Sequence, residues 1–343
     1  MTNICVYGAG GIGGFMAHAL TKAGANVSVI ARGPHLAAIQ ENGLTLIKDG
    51  ARETVSVTAT SNPADFGSQD YVIIGLKAHS VPPIIQDFAP LLHDDTAIVS
   101  AVNGVPWWYF HEAQTGTPLD ETPVETVDPG GAQWNFFGPE RAIGCVVYPA
   151  CEVAEPGVIE HKSGDRFSLG EPNGERSDRC VKLSELLRAG GLKAPVKPRI
   201  RDEIWIKLWG NCSFNPISAL TGASLDQIGN DPASRAVVHA MMEECRVVGL
   251  ALGARFNVSL ERRIEGAASI IGHKPSTRQD VELLRPMELD ALVVSVLELA
   301  RKLHIATPAL DAVAALSRLQ GEVLGLYQRR PEIEALIAAE PTA

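Results

Sequence analysis

Between Asn3 and Val102, short runs of β-branched and aliphatic residues alternate with segments whose apolar positions fall three and four apart. The runs are NICVYG, NVSVIA, ETVSVTAT, DYVIIGL and TAIVSAV. Strands of a parallel sheet are covered on both faces, so they read as continuous apolar runs, as YVIIGL does. Strand and helix patterns that take turns in this way predict βαβ units and a doubly wound parallel sheet.

From Val105 to Gly138 neither period is sustained, and the chain carries prolines, glycines, acids and the aromatic cluster Trp107, Trp108, Tyr109 and Phe110. That reads as a long loop, and long loops inside compact domains tend to be lids or binding loops. Strand-like segments return in AIGCVVYPACEVAEPGVIEHKSGDRFSLGEP, broken at EPG, KSGD and EPNGE, and a helix follows in RSDRCVKLSELLRAGG. Beyond Pro195 and Pro198 the strand pattern stops. Segments such as AVVHAMMEECRVVGLALG and ELDALVVSVLELARKLHI have helical spacing throughout. The expected plan is a Rossmann-like α/β domain over 1–198 with a loop at 105–138, an all-α domain over 199–330 and a tail at 331–343.

Composition narrows the function. A chain of 343 residues with 45% hydrophobic content can build two cores, and a formal charge of −10 argues against a nucleic-acid partner. The six cysteines lack metal-ligand spacing and sit in apolar runs, as reduced thiols of a cytoplasmic protein would. No metal is expected, and no apolar run reaches the length of a membrane span. The apolar stripes of the helical half suit a homodimer as well as an internal face.

Chemistry enters at GAGGIGG, which follows the first strand and opens a helix. Gly8, Gly10 and Gly13 make the G-x-G-x-x-G pattern, with Ala9, Gly11 and Ile12 between them. The first glycine turns the chain, the second admits a pyrophosphate and the third packs helix on strand. An acid at the end of the next strand would bind a ribose 2′-hydroxyl. Arg32 stands there instead, without Asp or Glu nearby, which favours NADP(H) over a merely solvated arginine. Lys77 and Asn103 lie just past the carboxyl ends of two further strands, where ligands of open α/β sheets bind, and are expected to face nicotinamide, ribose or substrate, with Asn103 a candidate for both cofactor and substrate.

In the helical half, Lys207, Asn211 and Asn215 are spaced four apart among Trp205, Leu208, Trp209, Phe214 and Ile217. Each step of four drifts about 40° around a helix, so the three would form one polar stripe, facing water or a cleft. Pro216 within that segment predicts a kink. Farther on, Ser276, Asp280 and Glu288 fall in KPSTRQDVELLRPMELDALV, where capping alone would also account for Ser276 and Glu288.

YGAGGIGG, LKAHS, VNGV, EIWIKLWGNCSFNPISAL and PSTRQDVELLRPMELDAL together resemble the ketopantoate reductase (2-dehydropantoate 2-reductase) family, in order and along nearly the whole chain. The K-x3-N-x3-N-P and S-x3-D-x7-E segments are the specific parts. The resemblance implies a Rossmann domain joined to a helical domain, and NADPH-dependent reduction of ketopantoate to (R)-pantoate for pantothenate synthesis. It implies Lys207 as general acid and Glu288 as a ligand of substrate and lysine. It also implies Asn211 and Asn215 at the substrate hydroxyl, Ser276 at its carboxylate, Lys77 and Asn103 beside nicotinamide, and Arg32 on the 2′-phosphate. The 105–138 loop is longer than the family's usual connection. This leaves a paralogue acting on a bulkier 2-keto acid, or a non-enzymatic NADP(H) sensor, as alternatives.

Overall fold

A computed structural model describes residues 1–338. The described residues form two compact units, one of residues 1–113 and 132–200, the other of 114–131 and 201–338.

The first unit is built on β1 (Asn3–Tyr7), α1 (Gly11–Lys22), β2 (Asn26–Ile30), α2 (Gly33–Asn42), β3 (Leu44–Lys48), β4 (Ala51–Val55), β5 (Thr58–Thr60), β6 (Tyr71–Ile74), β7 (Ala97–Ser100), α3 (Ala132–Phe137), β8 (Ala142–Val147), β9 (Ala150–Glu155), β10 (Val158–Ser163), β11 (Phe167–Gly170) and α4 (Asp178–Ala189). A seven-stranded sheet has the order β11-β8-β7-β6-β1-β2-β5, parallel except for β11. The strand order reverses at β1, so the loops after β1 and β6 leave the sheet at its switch point, where such sheets bind ligands. This is the doubly wound α/β arrangement that the apolar runs predict.

A second, four-stranded sheet, β4-β3-β10-β9, has α1 packed against it as well as against β1 and β2. Every residue from Gly13 to Leu20 is consequently buried, and a helix covered on both sides must be apolar nearly all round. Its one imidazole, His18, places Nε2 3.2 Å from the Glu53 carbonyl of β4. ETVSVTAT is therefore not one strand: Glu53–Val55 belongs to the β3–β4 hairpin and Thr58–Thr60 to the edge of the main sheet. The hairpin turns at Asp49 and Gly50, both with positive φ.

The second unit holds α5 (Ile200–Asn211, whose first residue packs with the first unit), α6 (Phe214–Thr221), α7 (Leu225–Asn230), α8 (Pro232–Ala251), α9 (Leu260–Ala268), α10 (Ser276–Glu282), α11 (Ser295–Lys302), α12 (Pro308–Val323) and α13 (Pro331–Ala338). A stretch of π-helix, Asp290–Val294, leads directly into α11. The segment expected to be a tail begins with α13, whose Ile333 is buried; the remaining five residues lie outside those described.

The 105–138 segment is not a free loop. Trp107 to Phe110 are core residues of the first unit, with Trp107 Nε1 donating to Ser100 Oγ at 3.0 Å. Residues 114–131 instead join the helices, which departs from the expected assignment of the whole loop to the Rossmann domain. The Glu298 carboxylate of α11, fully buried, accepts from the Glu125 and Thr126 amides at 3.0 and 2.7 Å and from Lys302 at 2.6 Å. Hydrogen bonds to a charged group contribute about 1.5–3 kcal/mol each, enough to hold an otherwise irregular segment in place.

Candidate active site

The glycine turn follows β1 directly. Gly8 has φ of +100°, and its amide donates to the Ile30 carbonyl at 3.0 Å, which draws the turn onto the end of β2. A Cβ on Gly13 would lie 2.0 Å from the Gly8 carbonyl oxygen, whereas one on Gly10 would meet nothing within 4 Å. The third glycine thus packs and the second faces open space. α1 begins at Gly11 with no acid in its first turn, leaving the positive end of the helix dipole to an incoming anion.

The open space is a cavity lined by Gly8, Ala9, Gly10, Arg32, His35 and Leu76, among others. Arg32 is exposed at the N-cap position of α2 and brings a guanidinium to the cavity without a competing carboxylate in its lining. His35 was not singled out by sequence reasoning, though it follows Arg32 by three residues on the same first turn. Its Nε2 lies 2.7 Å from the Ala9 carbonyl, while Nδ1 accepts from the Gly157 amide at 3.0 Å. That pairing puts the ring proton on Nε2 and ties the glycine turn to the β9–β10 turn.

Lys77 follows β6 and is half-buried at the start of a short 3-10 turn. Asn103 follows β7, and its Oδ1 is buried with no hydrogen-bond partner among the described residues. An orphaned acceptor of this kind suits a ligand amide that donates to it, as a nicotinamide carboxamide does. Together with the space before Gly10 and the cation at Arg32, these residues fit a phosphorylated dinucleotide.

In the second unit, Lys207 and Asn211 lie on α5 and are half-buried, while Asn215 is buried on α6. The three do not share one continuous helix, as their spacing had suggested. Pro216 has no N–H for the Cys212 carbonyl, so the chain turns at Cys212–Ser213 and α6 begins anew, with the proline in its first turn. Trp205 and Trp209 pack inward, Trp209 donating through Nε1 to the Met242 carbonyl.

α6 packs against α10, and the Asn215 amide nitrogen donates to Ser276 Oγ at 3.3 Å across 61 positions of sequence. Ser276 is the first residue of α10, and no side chain caps that helix at its N-cap, Pro275, so the hydroxyl is not a cap. Glu288 is half-buried just ahead of the π stretch, its carbonyl accepting from Leu292. Burial pushes the thiols of Cys5, Cys151 and Cys180 up to about 12, which leaves these three poor nucleophiles.

Comparison with known proteins decides the lineage. The model of the ketopantoate reductase PanE/ApbA family matches residues 4–174, and the model of its C-terminal domain matches 199–320. The chain belongs to the ketopantoate reductase family. A 2-dehydropantoate 2-reductase of Mesorhizobium japonicum is 52% identical over 94% of this chain and 99% of its own. A crystal structure from Ralstonia solanacearum assigned to ketopantoate reductase superposes with a TM-score of 0.89 at 39% identity, covering 95% of this chain and all of the other. The fold alone is shared with D-mandelate dehydrogenase in its ternary structure with NADH and anilino(oxo)acetate, at a TM-score of 0.80 and 19% identity over 94% of this chain and 99% of the other. As a ketopantoate reductase family member the chain is an oxidoreductase, and among the described residues no helix is long and apolar enough to cross a membrane.

Proposed function

We propose that this chain reduces the 2-keto group of a small 2-keto acid, 2-dehydropantoate before others, to the (R)-2-hydroxy acid with NADPH, in the route to pantothenate. The observation that carries the reading is the Mesorhizobium 2-dehydropantoate 2-reductase, matched at 52% identity along nearly the full length of both chains. Arg32 in the glycine-turn cavity supports the choice of NADPH over NADH.

The cofactor, when bound, supplies the hydride that adds to the keto carbon. The chain supplies the rest. The amides of the glycine turn and of the first turn of α1 bind diphosphate, and the Arg32 guanidinium takes the 2′-phosphate through paired N–H donors. Asn103 accepts from the carboxamide, with Lys77 beside it.

The Lys207 ammonium stabilises the negative oxygen left by hydride addition and hands it a proton, regaining one from solvent afterwards. Glu288 orients that ammonium and binds substrate. Asn211 and Asn215 hold the hydroxyl end, and Ser276 the carboxylate. Six reduced cysteines agree with action in the cytoplasm. The exposed Leu316, Leu319 and Val323 of α12 suit a homodimer contact.

The test is a panel of 2-keto acids with NADPH oxidation as readout. Ketopantoate should exceed branched and aromatic 2-keto acids in kcat/KM by at least about tenfold. A preference for aromatic acids would move the substrate to a paralogous activity, and NADPH binding without turnover of any would leave a sensor.

A further inference from the structure

The helix that follows Glu288 is held in an unusual way. Its first five residues, Asp290–Val294, are wound as a π-helix, whose wider turn places side chains differently from an α-helix and is kept where surrounding contacts compensate for it. The π stretch packs on α11 and α12, and its first residue is tied through Arg330 to the segment 114–131. At the start of the helix, the Asp290 carboxylate accepts from Tyr327 Oη at 2.6 Å and from Arg330 Nη2 at 3.1 Å. The same Arg330 nitrogen donates to the Thr126 carbonyl at 2.6 Å. Two turns farther on, in α11, Glu298 accepts from the Thr126 amide and hydroxyl. One buried threonine is thereby held directly by Glu298 and, through the bridging Arg330, by Asp290 at the start of the π stretch.

We infer that Thr126, with Arg330 and Glu298, is a positioning device for Glu288: the 114–131 segment is a fixed brace of the substrate half, not a lid. The inference rests on Glu288 binding the keto acid as proposed above. Glu288 stands two residues before Asp290, and its carbonyl accepts from Leu292 inside the π stretch. Slack in the brace therefore moves the backbone that aims Glu288. The dinucleotide residues of the first unit play no part in the brace, so cofactor affinity is independent of it.

The test is Thr126→Val, which keeps the shape and deletes the hydroxyl, beside Thr126→Ser, which restores it. Thr126→Val should raise the KM for ketopantoate by about tenfold, with NADPH affinity by fluorescence titration unchanged, and Thr126→Ser should lie within about twofold of the parent. Amide hydrogen exchange over 286–295 should quicken in Thr126→Val and not in Thr126→Ser. Should Thr126→Val fail to fold, Arg330→Gln removes the other grip, with the same expected pattern. An unchanged KM together with unchanged exchange overturns the inference, as does an equal loss of NADPH affinity. If the parent binds NADPH yet does not reduce ketopantoate, the substrate reading fails by itself, and the exchange comparison decides the brace.

Discussion

Arg32 joins a local sequence signal to a three-dimensional consequence. A guanidinium presents two parallel donors to a phosphate, whereas a ribose 2′-hydroxyl offers it little, so in its proposed role Arg32 discriminates by what it gains with NADPH. Arg32→Ala should weaken NADPH by about 10–100-fold while leaving NADH within about threefold, read as the ratio of the two dissociation constants. Equal losses would remove the 2′-phosphate from this side chain. The placement of Arg32 and the glycines around one cavity was legible because it follows from position relative to one strand end. His35 was not: its two partners, the Ala9 carbonyl and the Gly157 amide, stand 26 and 122 positions away, and nothing in GPHL announces either. Ser276 was read with a cap as the bland alternative for the same reason, since its partner Asn215 lies 61 positions back.

Elements were legible where one period ran unbroken. α1 reads as a helix from its apolar content, yet the reason for burial on both sides, the second sheet, was hidden. The Asp49–Gly50 pair is a two-residue hairpin signal, but its strands LTLIK and ARETV are short and weakly apolar, and the latter runs on towards VSVTAT. His18 makes that packing measurable. Burial holds its imidazole below the ordinary 6.5. The unfolded chain then binds a proton that the folded chain refuses, so the stability contributed by the neutral ring is complete above pH 6.5 and declines as pH falls through the depressed value. His18→Gln keeps a donor for the Glu53 carbonyl and cannot titrate in this range. Calorimetry should find the fall in Tm from pH 7 to about 5 smaller in the variant than in the parent by about 2–4 °C. Parallel profiles would mean that the ring is protonated in the fold or that its water access is greater than its burial indicates.

At the scale of the whole molecule, two jobs are assigned to two units of one chain. Every residue proposed to hold the dinucleotide lies between Gly8 and Asn103, and every residue proposed to act on the keto acid alone lies beyond Arg201. The boundary between the units was legible because the dominant period changes near Pro198. The membership of 114–131 was not, because the carboxylate that secures it, Glu298, is 172 positions from Thr126. The division predicts a clean separation in Lys207→Ala. An ammonium acts in the reaction only once charge develops on the keto oxygen, and it makes no demand on cofactor binding before then. Turnover should fall by about 10²–10⁴, the span of general-acid contributions, while the NADPH dissociation constant stays within about twofold. Stopped-flow hydride transfer, read from NADPH absorbance, should slow by the same factor as steady-state turnover if chemistry limits both. A variant that instead loses NADPH affinity along with turnover would place the amine among the cofactor ligands and return the role of proton donor to another group.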